Sequence, residues 1–266
     1  MRKNVFYILT IALVFCVSSC GEYSKLLKST DNETKYTKAI EMYENKDYNR
    51  ALQLFDLLQP ALRGTKRGEE IAYKTAYCYY NLKDYDVAAY YFKRFALNYP
   101  FSKNAEEALF MNAYCSYIDS PSSSLDQTTT REAISEFQFF IDTYPHSDRV
   151  DDANAYIDKL REKMQEKDYN ICMMYYNMGD YMAAITSFEN LLKDYPETKH
   201  REEILRNMVL VYYDYAENSV EEKKIERYEA SIERFNTLQY LYPESKYLKE
   251  LEGVQAKARN KLINNK

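Results

Sequence analysis

Apolar and small residues recur along most of this chain at the spacing of a helix face rather than in the alternation of a strand. The most regular mark is an Ala, once a Ser, followed four residues later by Phe: Ala51/Phe55, Ala88/Phe92, Ala133/Phe137, Ala184/Phe188 and Ser231/Phe235. Residues four apart share one face of a helix, so the small residue lets a partner helix approach and the Phe fills the space beside it. The Phe residues are 37, 45, 51 and 47 positions apart. Four of the five units close on Tyr-Pro eight residues beyond the Phe, at Pro100, Pro145, Pro196 and Pro243, and the first ends earlier, at Pro60. Twelve residues before the Ala stands a second small residue (Ala39, Ala76, Cys172), with an aromatic soon after it: Tyr43, Tyr79 with Tyr80, Tyr175 with Tyr176. Between these two marks lie "NKDY", "LKDY" and "MGDY", each an Asp-Tyr turn whose Tyr (Tyr48, Tyr85, Tyr181) precedes the Ala by three.

The pattern predicts helix–turn–helix units, and it resembles the tetratricopeptide repeat, in which two helices cross at small residues and a Pro stops the second. The expected fold class is therefore all-α, a tetratricopeptide-like solenoid of five repeats at roughly 33–62, 68–100, 104–145, 148–196 and 200–243, within 33–252. Ser102, Ser147, Thr198 and Ser245, two residues after each Pro, are placed to cap the following helix. Two segments lengthen the repeats. "DSPSSSLDQTTT" (119–130) reads as a polar loop inside the third, and Asp148 to Asn177 as one long helix or two joined near Lys167. A capping helix is expected after the fifth repeat, residues 253–266 read as a polar capping end followed by a loose tail, and 21–32 as a tether that reaches roughly 40 Å if extended.

Composition agrees with helices: Gly numbers 5 and Pro 6. There is no Trp but there are 29 Tyr, more than a core needs and suited to half-buried surfaces. The first residues change the picture. "MRKN" and the apolar run Val5–Val17 have the form of a signal peptide, and the run is shorter than the roughly 20 residues a membrane span needs. "Val17-Ser18-Ser19-Cys20" resembles the lipobox of bacterial lipoproteins, which implies cleavage of 1–19 and a diacylglycerol and an N-acyl chain on Cys20. An ordinary signal peptide or an uncleaved anchor is the plainer alternative. In such lipoproteins an Asp after the Cys retains the protein in the inner membrane. Gly21 stands there, implying the outer membrane with the chain facing the periplasm. The formal charge is −5, and −7 once Arg2 and Lys3 leave with the signal. No basic stretch offers a footprint for nucleic acid. Cys78, Cys115 and Cys172 are odd in number and sit at packing positions of the repeat, so buried free thiols are expected rather than a bridge.

Chemistry for catalysis is sparse. The two His, His146 and His200, follow Tyr-Pro turns, and with buried thiols they build no metal constellation. No nucleophile elbow and no phosphate-cradling Gly motif is present. Glu106/Glu107 and Asp151/Asp152 read as helix N-terminal charges. The chain is expected to be no enzyme and to need no cofactor beyond the lipid. What remains is recognition. First helices of a solenoid line its groove, and register puts Tyr77, Tyr80 and Asn81 together there, with Tyr114 and Tyr117 in the third repeat and Met173, Tyr176 and Asn177 in the fourth. Such an aromatic ladder is suited to a peptide. Alternatively these tyrosines pack against neighbouring repeats.

A lipobox, a short tether and five such repeats resemble the family of the outer membrane assembly factor BamD. The likeness is strongest from "DTYPHSDRVDDANAYIDKLREKMQEKDYN" through "YYNMGDYMAAITSFENLLKDYPETKHREEIL". It implies a scaffold of the machine that inserts β-barrels, with unfolded barrel substrates on the N-terminal repeats, at Tyr77, Tyr80, Tyr114 and Tyr117. It also implies a BamA-like barrel with periplasmic domains on the C-terminal repeats, around 180–250. The first repeat departs from the pattern at Gln59-Pro60 and in the basic "ALRGTKRGEE", and the last in "ENSVEEKKIERY" and Ser231. A pilot lipoprotein for secretin or pilus assembly would share anchor and repeats but not the long 148–177 segment. A cell-wall coordination protein usually carries an N-terminal coiled coil, which is absent here.

Overall fold

The computed structural model describes residues 22–264, and all regular structure among them is helical. The signal segment and Cys20 lie outside the described residues. After α1 (22–28) come α2 (Asn32–Glu44), α3 (Tyr48–Leu62), α4 (Lys66–Asn81), α5 (Tyr85–Asn98), α6 (Ala105–Asp119) and α7 (Thr128–Thr143). They are followed by α8 (Val150–Asn177), α9 (Tyr181–Asp194), α10 (Arg201–Glu217), α11 (Glu221–Leu241) and α12 (Leu248–Asn264). Two compact units divide the chain: one takes the residues up to Pro121 with Asp126–Leu160, the other Ser122–Leu125 with the residues from Arg161. In the first, the hairpins α2/α3, α4/α5 and α6/α7 follow one another, with α3 packed on α4 and α5 on α6. In the second, α9 packs on α10, α10 on α11, and α12 covers both α10 and α11.

The Ala/Phe marks are the crossing points. Ala51, Ala88, Ala133 and Ala184 are fully buried, as are the paired Phe residues. Ser231 is also buried, and its hydroxyl donates to the Val209 carbonyl at 2.9 Å, so the polar substitute is satisfied inside the core. Three hairpin turns, α2/α3, α4/α5 and α8/α9, are built alike. In the first, the Lys46 N–H donates to Tyr43 O and the Asp47 N–H to Met42 O, the bond pair of a Schellman motif. Lys83/Asp84 and Gly179/Asp180 repeat it. The motif needs one left-handed residue: Lys46 (φ 62°), Lys83 (φ 64°) and Gly179 (φ 76°). Only the last is Gly. A side chain in this region costs about 1–2 kcal/mol, and Gly returns part of that as unfolded-chain entropy. Lys83→Gly is therefore expected to stabilise the first unit by about 0.5–1 kcal/mol, read as a raised urea midpoint.

The Tyr-Pro endings form a second repeated turn. The N–H groups of Ser102, Ser147, Thr198 and Ser245 donate to the carbonyls of Tyr99, Tyr144, Tyr195 and Tyr242, at 2.9–3.1 Å. Each hydroxyl accepts from the N–H two residues on, at Asn104, Arg149, His200 and Tyr247. These residues therefore shape the turn ahead of the helix rather than cap it. The cap positions fall two residues later, on Asn104 and His200, with no side-chain cap bond.

Four segments differ from the sequence expectation, and at a fifth, Val150–Asn177, the structure selects one of two alternatives. Pro60 does not end α3, which runs on to Leu62, because in the last turn its missing N–H forfeits one bond only. Val150–Asn177 is a single helix of 28 residues, with neither Gly nor Pro to break it. The loop of the third repeat shrinks to 120–127, and it is anchored. Gln127 and Thr130 are buried, and the Thr130 hydroxyl donates to Gln127 Oε1 at 2.6 Å. The C-terminal stretch is helical to Asn264, with Leu251 and Ala258 buried. The expected tether contains α1, whose Tyr23, Leu26 and Leu27 pack on the core of the first hairpin.

Candidate partner-binding surface

Six tyrosines gather on α4, α6 and the start of α8 in the first unit. Tyr77 meets Tyr73 at 5.0 Å and Tyr80 at 6.2 Å, both edge to face. Its ring also stands perpendicular to Phe92 of α5 at 5.0 Å, so it supports its own hairpin as well as facing outward. Tyr80 continues to Tyr85 at 5.7 Å. Tyr114 and Tyr117 stack at 6.1 Å, and Tyr156 lies 5.3 and 4.6 Å from them. All six are half-buried. Asn81 is exposed and its amide donates to Tyr77 O at 2.7 Å. Tyr77, Tyr80, Asn81, Tyr114 and Tyr117 thus form one neighbourhood, which includes Tyr73 and Tyr156, unnoticed in the sequence.

In the second unit Met173 and Tyr176 are half-buried against its core, and Asn177 ends α8, exposed. The Tyr176 hydroxyl donates to Asp214 of α10, and Tyr176 packs on Tyr181 at 6.3 Å. These three residues form a separate, smaller neighbourhood.

Several tyrosines have a further task that sequence reading missed. Tyr36 donates to Glu70 and Tyr77 to Glu107, both at 2.6 Å, and Tyr169 to Glu203 at 2.9 Å. With Tyr176–Asp214 these bonds join first helices of consecutive hairpins. The ion pairs Arg67–Glu33 and Lys74–Glu44 join α4 to α2 likewise, at 2.5 and 2.9 Å. Burial and the carboxylate acceptors raise the Tyr77 and Tyr176 hydroxyls well above the ordinary phenol range, so they remain donors at any physiological pH. The available signal was the offset: Glu33–Arg67, Tyr36–Glu70 and Tyr169–Glu203 are each 34 residues apart, one standard repeat.

Cys78, Cys115 and Cys172 are free and buried, and burial pushes their thiols up to about 12, leaving them protonated and inert. His146 and His200 are exposed. Among the described residues no group of three His, Cys, Asp or Glu is placed to hold a metal, and no helix is long and apolar enough to cross a membrane.

Helix hairpins crossing at small residues, joined by tyrosine–carboxylate bonds and closed by a further helix, define an all-α protein of the tetratricopeptide-like class. The chain belongs to the outer membrane lipoprotein family YfiO, whose model matches residues 28–227. It is 24% identical over 259 residues to the outer membrane protein assembly factor BamD of Neisseria meningitidis serogroup B, covering 91% of this chain and 93% of the relative. The BamD of Neisseria gonorrhoeae is also 24% identical, over 257 residues, covering 91% and 92%. Among solved structures, a TPR repeats protein of Bacteroides fragilis is 17% identical with a TM-score of 0.41, covering 87% of this chain and 99% of that one.

Proposed function

We propose that the chain is a non-catalytic lipoprotein scaffold of the machinery that assembles outer-membrane β-barrels. On this reading acylated Cys20 holds it to the outer membrane, facing the periplasm. The tyrosine neighbourhood of the first unit takes segments of unfolded barrel proteins, and the second unit takes the periplasmic domains of a BamA-like barrel. The observation that carries this reading is the family match across 28–227, joined by relatives named as assembly factors over nine-tenths of the chain. The tyrosine cluster supports the substrate side, since half-buried rings with fixed edges bury large contact area at little entropy cost.

The test is mild crosslinking in native membranes, purification through a C-terminal tag and mass spectrometry. A co-purifying barrel with periplasmic repeat domains is the expected result. A secretin or pilus subunit in its place overturns the assignment in favour of a pilot lipoprotein. Cys20→Ala is expected to leave helicity and the urea midpoint unchanged while moving the chain entirely to the soluble fraction. Retention in the membrane pellet would instead mean an uncleaved anchor.

A further inference from the structure

The outer face of α3 and α5 carries features that neither the core nor the tyrosine surface uses. Between these helices and the start of α4 lies a cavity of about 520 Å³, lined among others by Asp56, Gln59, Arg63, Arg94, Asn98 and Tyr91. Most other Arg side chains are ion-paired or stacked on a ring, yet Arg63 and Arg94 meet no acidic partner among the described residues. Beside the cavity, Tyr90, Arg94, Leu97 and Phe101 follow one another at helical spacing along α5 and just past its end. Tyr90 and Leu97 are 59% exposed and Phe101 fully so. Aromatic, Leu and Arg side chains on one exposed face suit the boundary between headgroups and acyl chains, where rings and Leu enter and guanidinium groups reach phosphate.

The N-terminus brings this face to a bilayer. The Tyr23 hydroxyl lies 3.0 Å from Arg50 O and 3.1 Å from Gln53 Oε1, and the Arg50 guanidinium covers its ring. That fixes α1 on α3, one turn from Asp56 and the cavity, with Lys25 and Lys28 exposed. With 1–19 cleaved, as the lipoprotein reading has it, only Cys20 and Gly21 precede Glu22, and two extended residues span about 7 Å. An acyl chain on Cys20 therefore holds α3 close to the headgroups, where a free tether of twelve residues would let it wander.

We propose that the α3–α5 face, with Arg63 and Arg94 as its phosphate-binding groups, is a docking surface for phospholipid headgroups that orients the first unit on the membrane. The proposal rests on the lipoprotein reading given above. It deepens that reading by turning a flexible anchor into a fixed attachment.

The chain contains no Trp, so Phe101→Trp creates a single reporter on a side chain that touches no core. The full acylated chain carrying it is reconstituted in vesicles of phosphatidylethanolamine and phosphatidylglycerol with brominated acyl chains. Flotation and tryptophan emission are then read together. The expected result is a floating chain with blue-shifted, quenched emission, and loss of both optical effects in Arg63→Glu/Arg94→Glu while flotation and circular dichroism persist. A floating chain with unshifted, unquenched emission overturns the docking surface and leaves the cavity to a protein ligand. Quenching that survives the charge reversal overturns the phosphate-binding role of the arginines. A folded chain that does not float overturns the lipid anchor itself, a separate and visible failure.

Discussion

Phe92→Ala is expected to remove about 3–5 kcal/mol from the stability of the first unit, the usual loss for deleting a fully buried ring. Phe92 is 0% exposed, and its ring stands beneath Tyr77, whose hydroxyl reaches Glu107 of the next hairpin. One ring therefore supports both the crossing of α4 with α5 and the bond from α4 to α6. Repeat proteins hold each unit through its neighbours, so the loss should spread through α4–α6 rather than remain local. Phe101→Ala is the internal control: the same deletion at a fully exposed site should change stability by no more than about 0.5 kcal/mol. Urea unfolding followed by far-UV circular dichroism separates the two. Equal effects would mean that the Ala/Phe register does not mark the crossing points.

That register was legible because crossing geometry is strict. At these crossings a helix backbone approaches its partner over a small residue, here Ala, Ser or Cys, and in the second helix of each unit the ring follows one turn later. Such demands leave the same small-residue/Phe pair at Ala51/Phe55 and Ser231/Phe235 despite turns and linkers of different length. Other features depend on partners far along the chain. The seven residues of α1 are too few to hold a helix alone. They do so because Tyr23, Leu26 and Leu27 find the first hairpin, and no local pattern in "EYSKLLK" announces that docking. The site was half legible. Helical spacing placed Tyr77, Tyr80 and Asn81 side by side, and Tyr114 beside Tyr117. It did not show that Tyr77 leans on Phe92, or that Tyr156, from beyond the third repeat, completes the cluster. Those contacts follow from how hairpins stack, which one helix wheel does not contain.

Gly68→Ala should destabilise the first unit, against the ordinary rule that Ala improves a helix. Gly68 lies in the first turn of α4, and a Cβ built there stands 2.1 Å from the Leu62 carbonyl oxygen, far inside contact distance and against backbone rather than a flexible side chain. That carbonyl is the hub of the α3–α4 corner: it accepts from the Thr65 N–H at 3.1 Å and from the Thr65 hydroxyl at 2.7 Å. The same hydroxyl caps α4 by accepting from the Gly68 N–H at 3.1 Å. A methyl group forces the corner open and breaks the cap with it. Overpacking of about 1–3 kcal/mol and a lost cap of about 1 kcal/mol together predict a loss of about 2–4 kcal/mol. Gly253 in α12 is the matched opposite: nothing lies within 4 Å of the position a methyl group would take there, and its φ is not in the left-handed region. Gly253→Ala should therefore gain about 0.5–1 kcal/mol from helix propensity alone. If both variants gain stability, the corner is looser than the Leu62–Thr65 bonds imply. If Gly68→Ala alone loses, the close approach of α3 to α4 explains why a Gly occupies the first turn of a helix.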